Sequence, residues 1–160
     1  DDGLTPLFLA CRAGFEAIAS RLVDEGAQVH ATHKCRFTPL MRAALRGLEE
    51  TARMLVENEA CVNASNDNGD TALILACRNG HESTANMLVE EGADVNAENR
   101  DGQTALFFAC WSSLEGTARL LVERGAHGES SIRVDAEAVR QKVLPSGPYY
   151  IEIQGPRQTQ

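Results

Sequence analysis

The feature that most constrains this chain is a period. The segments "TPLFLACRAG" (5–14), "TPLMRAALRG" (38–47), "TALILACRNG" (71–80) and "TALFFACWSS" (104–113) each begin 33 residues after the last. A second block keeps the same offset: "IASRLVDEGAQV", "TARMLVENEACV", "TANMLVEEGADV" and "TARLLVERGAHG". Four copies in register imply one structural unit repeated. Such a unit cannot bury its own apolar face and must stack on its neighbours.

Within each copy the residue types dictate two helices. Thr5 and Thr38 stand where a side-chain oxygen can accept from an orphan helix N–H. Pro6 and Pro39 follow at the first helical position, where a missing N–H costs nothing, and Ala72 and Ala105 replace them later. Leu7, Ala10 and Cys11 recur at helical spacing as a buried stripe, and Gly14, Gly47 and Gly80 offer the left-handed stop. A second helix runs through Ile18, Leu22 and Val23, with Ala52, Leu55 and Val56 in the next copy. Gly26, Gly92 and Gly125 end it, with Glu59 as the exception, as Ser113 is for the first helix. Extended fingers join the copies, turned by Asn68-Gly69 and Asp101-Gly102. One finger breaks this rule: it carries Cys35-Arg36 at the tip.

The period and the T-P-L start resemble the ankyrin repeat. The consensus His is replaced throughout, by Phe8, Met41, Ile74 and Phe107. The resemblance implies an all-α solenoid of stacked helix-turn-helix units with β-hairpin fingers. Residues 1–126 divide into four repeats at about 1–33, 34–66, 67–99 and 100–126. Residues 127–144 read as a degenerate cap, its helix N-capped by Asp135 with Val139 and Val143 on one face, and 145–160 as an extended tail. Copy one looks uncapped, since Leu9, Ile18 and Leu22 are as apolar as internal positions; the expectation is a parent protein that continues upstream.

Chemistry is sparse. The net charge of −8 disfavours nucleic acid as a partner, and no apolar run is long enough to insert in a membrane. The five cysteines form no CxxC pair and read as reduced, mostly buried side chains of a cytoplasmic or nuclear protein. Cys11, Cys77 and Cys110 share one repeat position. Packed helices lie about 8–10 Å apart, too far for disulfides between neighbouring equivalents. The four histidines are scattered, away from any nucleophile, and neither a metal site nor a cofactor is expected. The chain is expected not to be an enzyme.

The resemblance implies a protein partner held by the finger tips and the exposed side of the first helices. The residues at those positions include Arg12, Lys34, Arg36, Phe37, Leu45, Arg46, Asp70, Arg78, Asn79, Arg100 and Trp111. Phe37, Leu45 and Trp111 are large apolar groups with no expected core role, and exposed aromatics are favoured anchors. Arg12, Arg46 and Arg78 form a basic row, while Asp24, Glu25, Glu57, Glu59, Glu90, Glu91 and Glu123 place the acidic charge on the second helices. The expected ligand is a protein or peptide with apolar anchors and acidic groups, because guanidinium pairs with carboxylate. Cys35-Arg36 then reads as a turn signal given up for recognition. The alternatives are a targeting arm of a larger enzyme assembly, such as a ubiquitin ligase, and a structural spacer. Asn63 and Asn96 stand at the hairpin asparagine that asparaginyl hydroxylases modify in many ankyrin repeats. The plainer role for both is to stabilise a turn.

Overall fold

A computed structural model of the chain describes residues 4–126; the expected cap and tail lie outside them. The described residues form eight α-helices in four antiparallel pairs. The first helices of the pairs are α1 (Pro6–Ala13), α3 (Pro39–Arg46), α5 (Ala72–Arg78) and α7 (Ala105–Trp111). The second helices are α2 (Glu16–Asp24), α4 (Glu49–Glu57), α6 (Glu82–Glu90) and α8 (Glu115–Glu123). Each first helix packs on the next first helix and each second helix on the next second helix, so the chain is two helical layers sharing one core.

The helices start as the residues demand. Thr5, Thr38, Thr71 and Thr104 are extended at the N-cap, and their Oγ1 atoms accept from the backbone N–H three residues on, at 3.1–3.3 Å. The stops also follow. Gly14, Gly47 and Gly80 have φ of 81°, 72° and 78°. Glu59 and Ser113 take the same left-handed turn at φ 66° and 60°, without the glycine that relieves it.

Two details differ from the expectation, the second-helix stripe of repeat one and the fingers, and one meets it, the apolar outer side of repeat one. The second-helix stripe of repeat one is shifted by one residue. Ala19 and Val23 are buried, whereas Ile18 is 52% exposed, because Ala19 is the true equivalent of buried Ala52. Leu9, Phe15 and Ile18 leave the outer side of repeat one apolar and exposed. The fingers are not strands among the described residues. Each is closed by a single antiparallel bridge, His33 to Phe37, Ser65 to Thr71 and Glu98 to Thr104. The fingers are strung together by backbone bonds, from Asp67 N to Cys35 O (2.9 Å) and from Arg100 N to Asn68 O (2.8 Å).

Three cysteines are core. Cys11, Cys77 and Cys110 are buried, and burial pushes the Cys11 thiol up to about 11 and Cys77 to about 12, with Cys110 also raised. Cys35 and Cys61 are exposed, and no described cysteine is disulfide-bonded.

Candidate functional site

Two of the fingers are built around an asparagine. Asn66 Oδ1 accepts from Asn68 N at 2.8 Å and Asp70 N at 2.9 Å. Asn99 Oδ1 repeats this with Asp101 N at 3.0 Å and Gln103 N at 2.9 Å. These side-chain caps let the turn close with one left-handed residue, Gly69 (φ 79°) or Gly102 (φ 70°). In repeat two the matching residue is His33, which has no amide oxygen to offer. Its ring stacks instead on Phe8, centroids 4.8 Å apart. The finger must then close by backbone alone. A short 3-10 turn, Lys34–Arg36, puts both Cys35 (φ 61°) and Arg36 (φ 58°) in the left-handed region.

Asp70 also departs from its expected role. It is 1% exposed, so it belongs to the interior, not to the partner-facing surface. Its carboxylate accepts from Asn99 Nδ2 (3.2 Å), Asn66 Nδ2 (3.5 Å) and Arg78 Nη1 (3.2 Å). The reason is tertiary: a carboxylate at this register faces the amide of the next finger and the guanidinium of its own first helix. Arg78, which also lies over the Phe108 ring at 5.7 Å, is therefore already paired.

The apolar residues of the predicted surface divide in the same way. Trp111 is 63% exposed, with its ring stacked on Phe107 at 6.4 Å. Phe37 and Leu45 were expected to stand free of the core, but both are half-buried and pack against it. Phe37 sits under a guanidinium that sequence reasoning missed, that of Arg42, 4.6 Å from its ring centroid. Arg42 also lies 5.2 Å from the Phe8 ring. The missed signal was a lone cation in an apolar column, since Leu9, Leu75 and Phe108 hold that position elsewhere.

Arg12, Arg36, Arg46, Arg100, Lys34 and Asn79 are exposed, as expected. Arg46 Nη1 donates to Arg12 O at 3.2 Å, which ties the end of α3 to the end of α1. Asn79 Nδ2 donates to Leu75 O at 2.8 Å and so caps its own helix. The first helices thus present Arg12, Arg46, Arg78, Asn79 and Trp111 along one edge, beside the fingers. The acidic residues named above are all exposed on the second helices or their ends. Burial lowers the Arg42 pKa from its usual value, and the nearby charges of Arg12 and Arg46 lower it further.

Asn63 and Asn96 are exposed and reach to the next repeat. Asn63 Oδ1 accepts from Asp94 N at 2.7 Å, and Asn96 Nδ2 donates to Gly125 O at 3.1 Å. Both therefore brace the turn that follows the next second helix.

A family model described as ankyrin repeats (3 copies) matches residues 1–66 and 61–131. The chain belongs to the ankyrin-repeat family. No curated protein sequence matches it. Ankyrin repeats are protein–protein interaction modules, and that coarse function follows from membership. Among the described residues of this ankyrin-repeat chain, no helix is long and apolar enough to cross a membrane.

Proposed function

We propose that the chain grips a segment of another protein along the edge formed by its fingers and first helices. Exposure of Trp111 carries this reading. A side chain of that size, 63% exposed on a helix whose neighbours are buried, forgoes a large burial energy. Removing apolar surface from water is worth about 25 cal/mol per Å², so covering most of a Trp ring contributes a few kcal/mol. Large aromatics of this kind anchor interfaces. The positive residues farther along the same edge, Arg12 and Arg46, select an acidic or carboxylate-bearing segment.

Trp111 is the only tryptophan in the chain, so its emission reports occupancy of this edge directly. A random peptide library panned on the protein is expected to yield binders that shift Trp111 emission to the blue. Trp111→Ala is expected to weaken them by more than about 1 kcal/mol, roughly fivefold. Binders whose affinity ignores both Trp111→Ala and Arg46→Ala would place recognition elsewhere. Hydroxylation of Asn63 and Asn96 belongs to the same proposal, supported by their exposure; peptide mass spectrometry of protein from cells would show +16 Da at those residues, a mass shift set by one added oxygen.

A further inference from the structure

Four of the ten arginines among the described residues pair with a carboxylate. Arg21, Arg53, Arg78 and Arg119 pair with Glu25, Glu49, Asp70 and Glu115. Arg12, Arg42 and Arg46 do not: among the described residues none of the three has a carboxylate within ion-pair distance. These three lie together. Arg42 and Arg46 are one turn apart on α3, and Arg46 reaches across to the backbone of Arg12 on α1. Arg42 is held down between the Phe8 and Phe37 rings, with its Nε buried and without a hydrogen-bond partner. Repeat three shows what is absent here. At the registers of Asp70 and Arg78, which neutralise each other, repeat one has Leu4 and Arg12 and repeat two has Phe37 and Leu45, so neither of these fingers brings a carboxylate to the cluster. In a chain of net charge −8, three adjacent cations without a carboxylate partner among the described residues stand out against the overall field.

We propose that Arg12, Arg42 and Arg46 form a carboxylate-reading pocket at the repeat one–two end of the groove, and that it works with Trp111 as a two-point ruler. The occupant is an acidic side chain of the partner segment. Its carboxylate supplies the counter-charge that neither Leu4 nor Phe37 provides. The buried Phe8 ring supports Arg42 from beneath, and the half-buried Phe37 ring beside it strengthens the pairing by keeping water away. The spacing follows from the fold. Trp111 on α7 is two first-helix intervals beyond α3 and three beyond α1. At about 8–10 Å per interval the separation is roughly 20–25 Å. An extended peptide covers about 3.3–3.6 Å per residue, so the acid and the apolar anchor stand about six or seven residues apart. The inference rests on the groove reading above and adds to it a charge, a location and a register.

The test is panning of a random dodecapeptide phage library on the wild-type protein, on Arg42→Leu and on Trp111→Ala. Leu is the residue that repeats one and three carry at this position, as Leu9 and Leu75, so Arg42→Leu is expected to fold. Wild type is expected to enrich Asp or Glu about six or seven residues from Trp, Phe or Leu. Arg42→Leu is expected to keep the apolar preference and lose the acidic one. A selected peptide is expected to lose about tenfold in affinity when its acid is changed to the amide, on wild type but not on Arg42→Leu. Binders that depend on Trp111 but show no acidic preference would overturn the pocket and leave the groove reading standing. Absence of any Trp111-dependent binder would overturn both. A phosphoserine peptide bound more than tenfold tighter than its glutamate counterpart would overturn the assignment of carboxylate as the occupant.

Discussion

The His81 ring lies across Gly47. Its Nε2 donates to Leu45 O at 3.1 Å, and a Cβ built on Gly47 would meet the ring Nδ1 at 2.5 Å. Gly47 therefore serves twice: it takes the left-handed turn that ends α3, and it leaves room for a side chain from the next repeat. Gly80 has the same turn, and a Cβ there would meet nothing within 4 Å. The pair separates backbone strain from crowding. Gly80→Ala is expected to cost about 0.5–1 kcal/mol, the left-handed penalty less what the stiffer unfolded chain returns. Gly47→Ala is expected to cost at least about 1 kcal/mol more, because His81 must leave its carbonyl. Urea denaturation of the two variants checks this; equal midpoints would show that the ring moves freely.

The strained finger of repeat two gives the opposite sign. Arg36, at φ 58°, occupies the place of Gly69 and Gly102. A left-handed non-glycine residue costs about 1–2 kcal/mol, and the added freedom of glycine in the unfolded chain takes back about 0.4–1. Arg36→Gly is therefore expected to raise stability by about 0.5–1 kcal/mol in chemical denaturation. Its cation, exposed at the finger tip, is lost in exchange. A drop in stability would mean that the Arg36 side chain contributes contacts that outweigh its strain.

Asp70 is a hub whose removal leaves the buried Asn66 Nδ2 without a partner and takes from Asn99 Nδ2 one of its two acceptors. Asp70→Ala deprives Asn99 Nδ2 and Arg78 Nη1 of their shared acceptor. A loss of about 2 kcal/mol is expected. Amide hydrogen exchange is expected to rise first in the fingers of repeats three and four, since Asn66 and Asn99 organise both turns. Exchange that rises uniformly along the chain would contradict this local role.

The buried thiols give an alkaline limit to stability. The folded pKa values of Cys11 and Cys77, about 11 and about 12, lie above the ordinary thiol value of 9.0. Above pH 9.0 the unfolded chain gives up thiol protons that the folded chain keeps, so stability falls with rising pH through that window. Below it both states hold the proton and the effect vanishes. Cys77→Ala is expected to flatten the decline measured by urea denaturation between pH 9.0 and about 11. At pH 8 a thiol reagent is expected to label Cys35 and Cys61 quickly and the other three only on unfolding.

Thr38 and Gly47 announce the ends of α3 because capping is local: the hydroxyl and the missing Cβ act within one turn of where they stand. The 33-residue register placed Trp111 on the exposed edge for a related reason, since equivalent residues of stacked identical units occupy equivalent places. Asp70 and Phe37 were misjudged because their register reads as surface, yet Asp70 is covered by Arg78 and the Asn99 amide of the next finger, and Phe37 by Arg42. Arg42 was invisible for the converse reason: its column reads as core, and only the neighbouring rings show a cation held there.

The amino-acid sequence alone determined the repeat, the helix pairs, their caps and stops, and the side of the stack that carries positive charge. Those depend on contacts within about one helical turn, or on a period that forces equivalent surfaces together. Tertiary structure alone decided which charges are already satisfied. Asp70 meets Arg78 within its own repeat, but the Asn99 amide reaches Asp70, and the Phe8 ring reaches Arg42, from about 30 positions away in the chain, brought within contact only when the repeats stack.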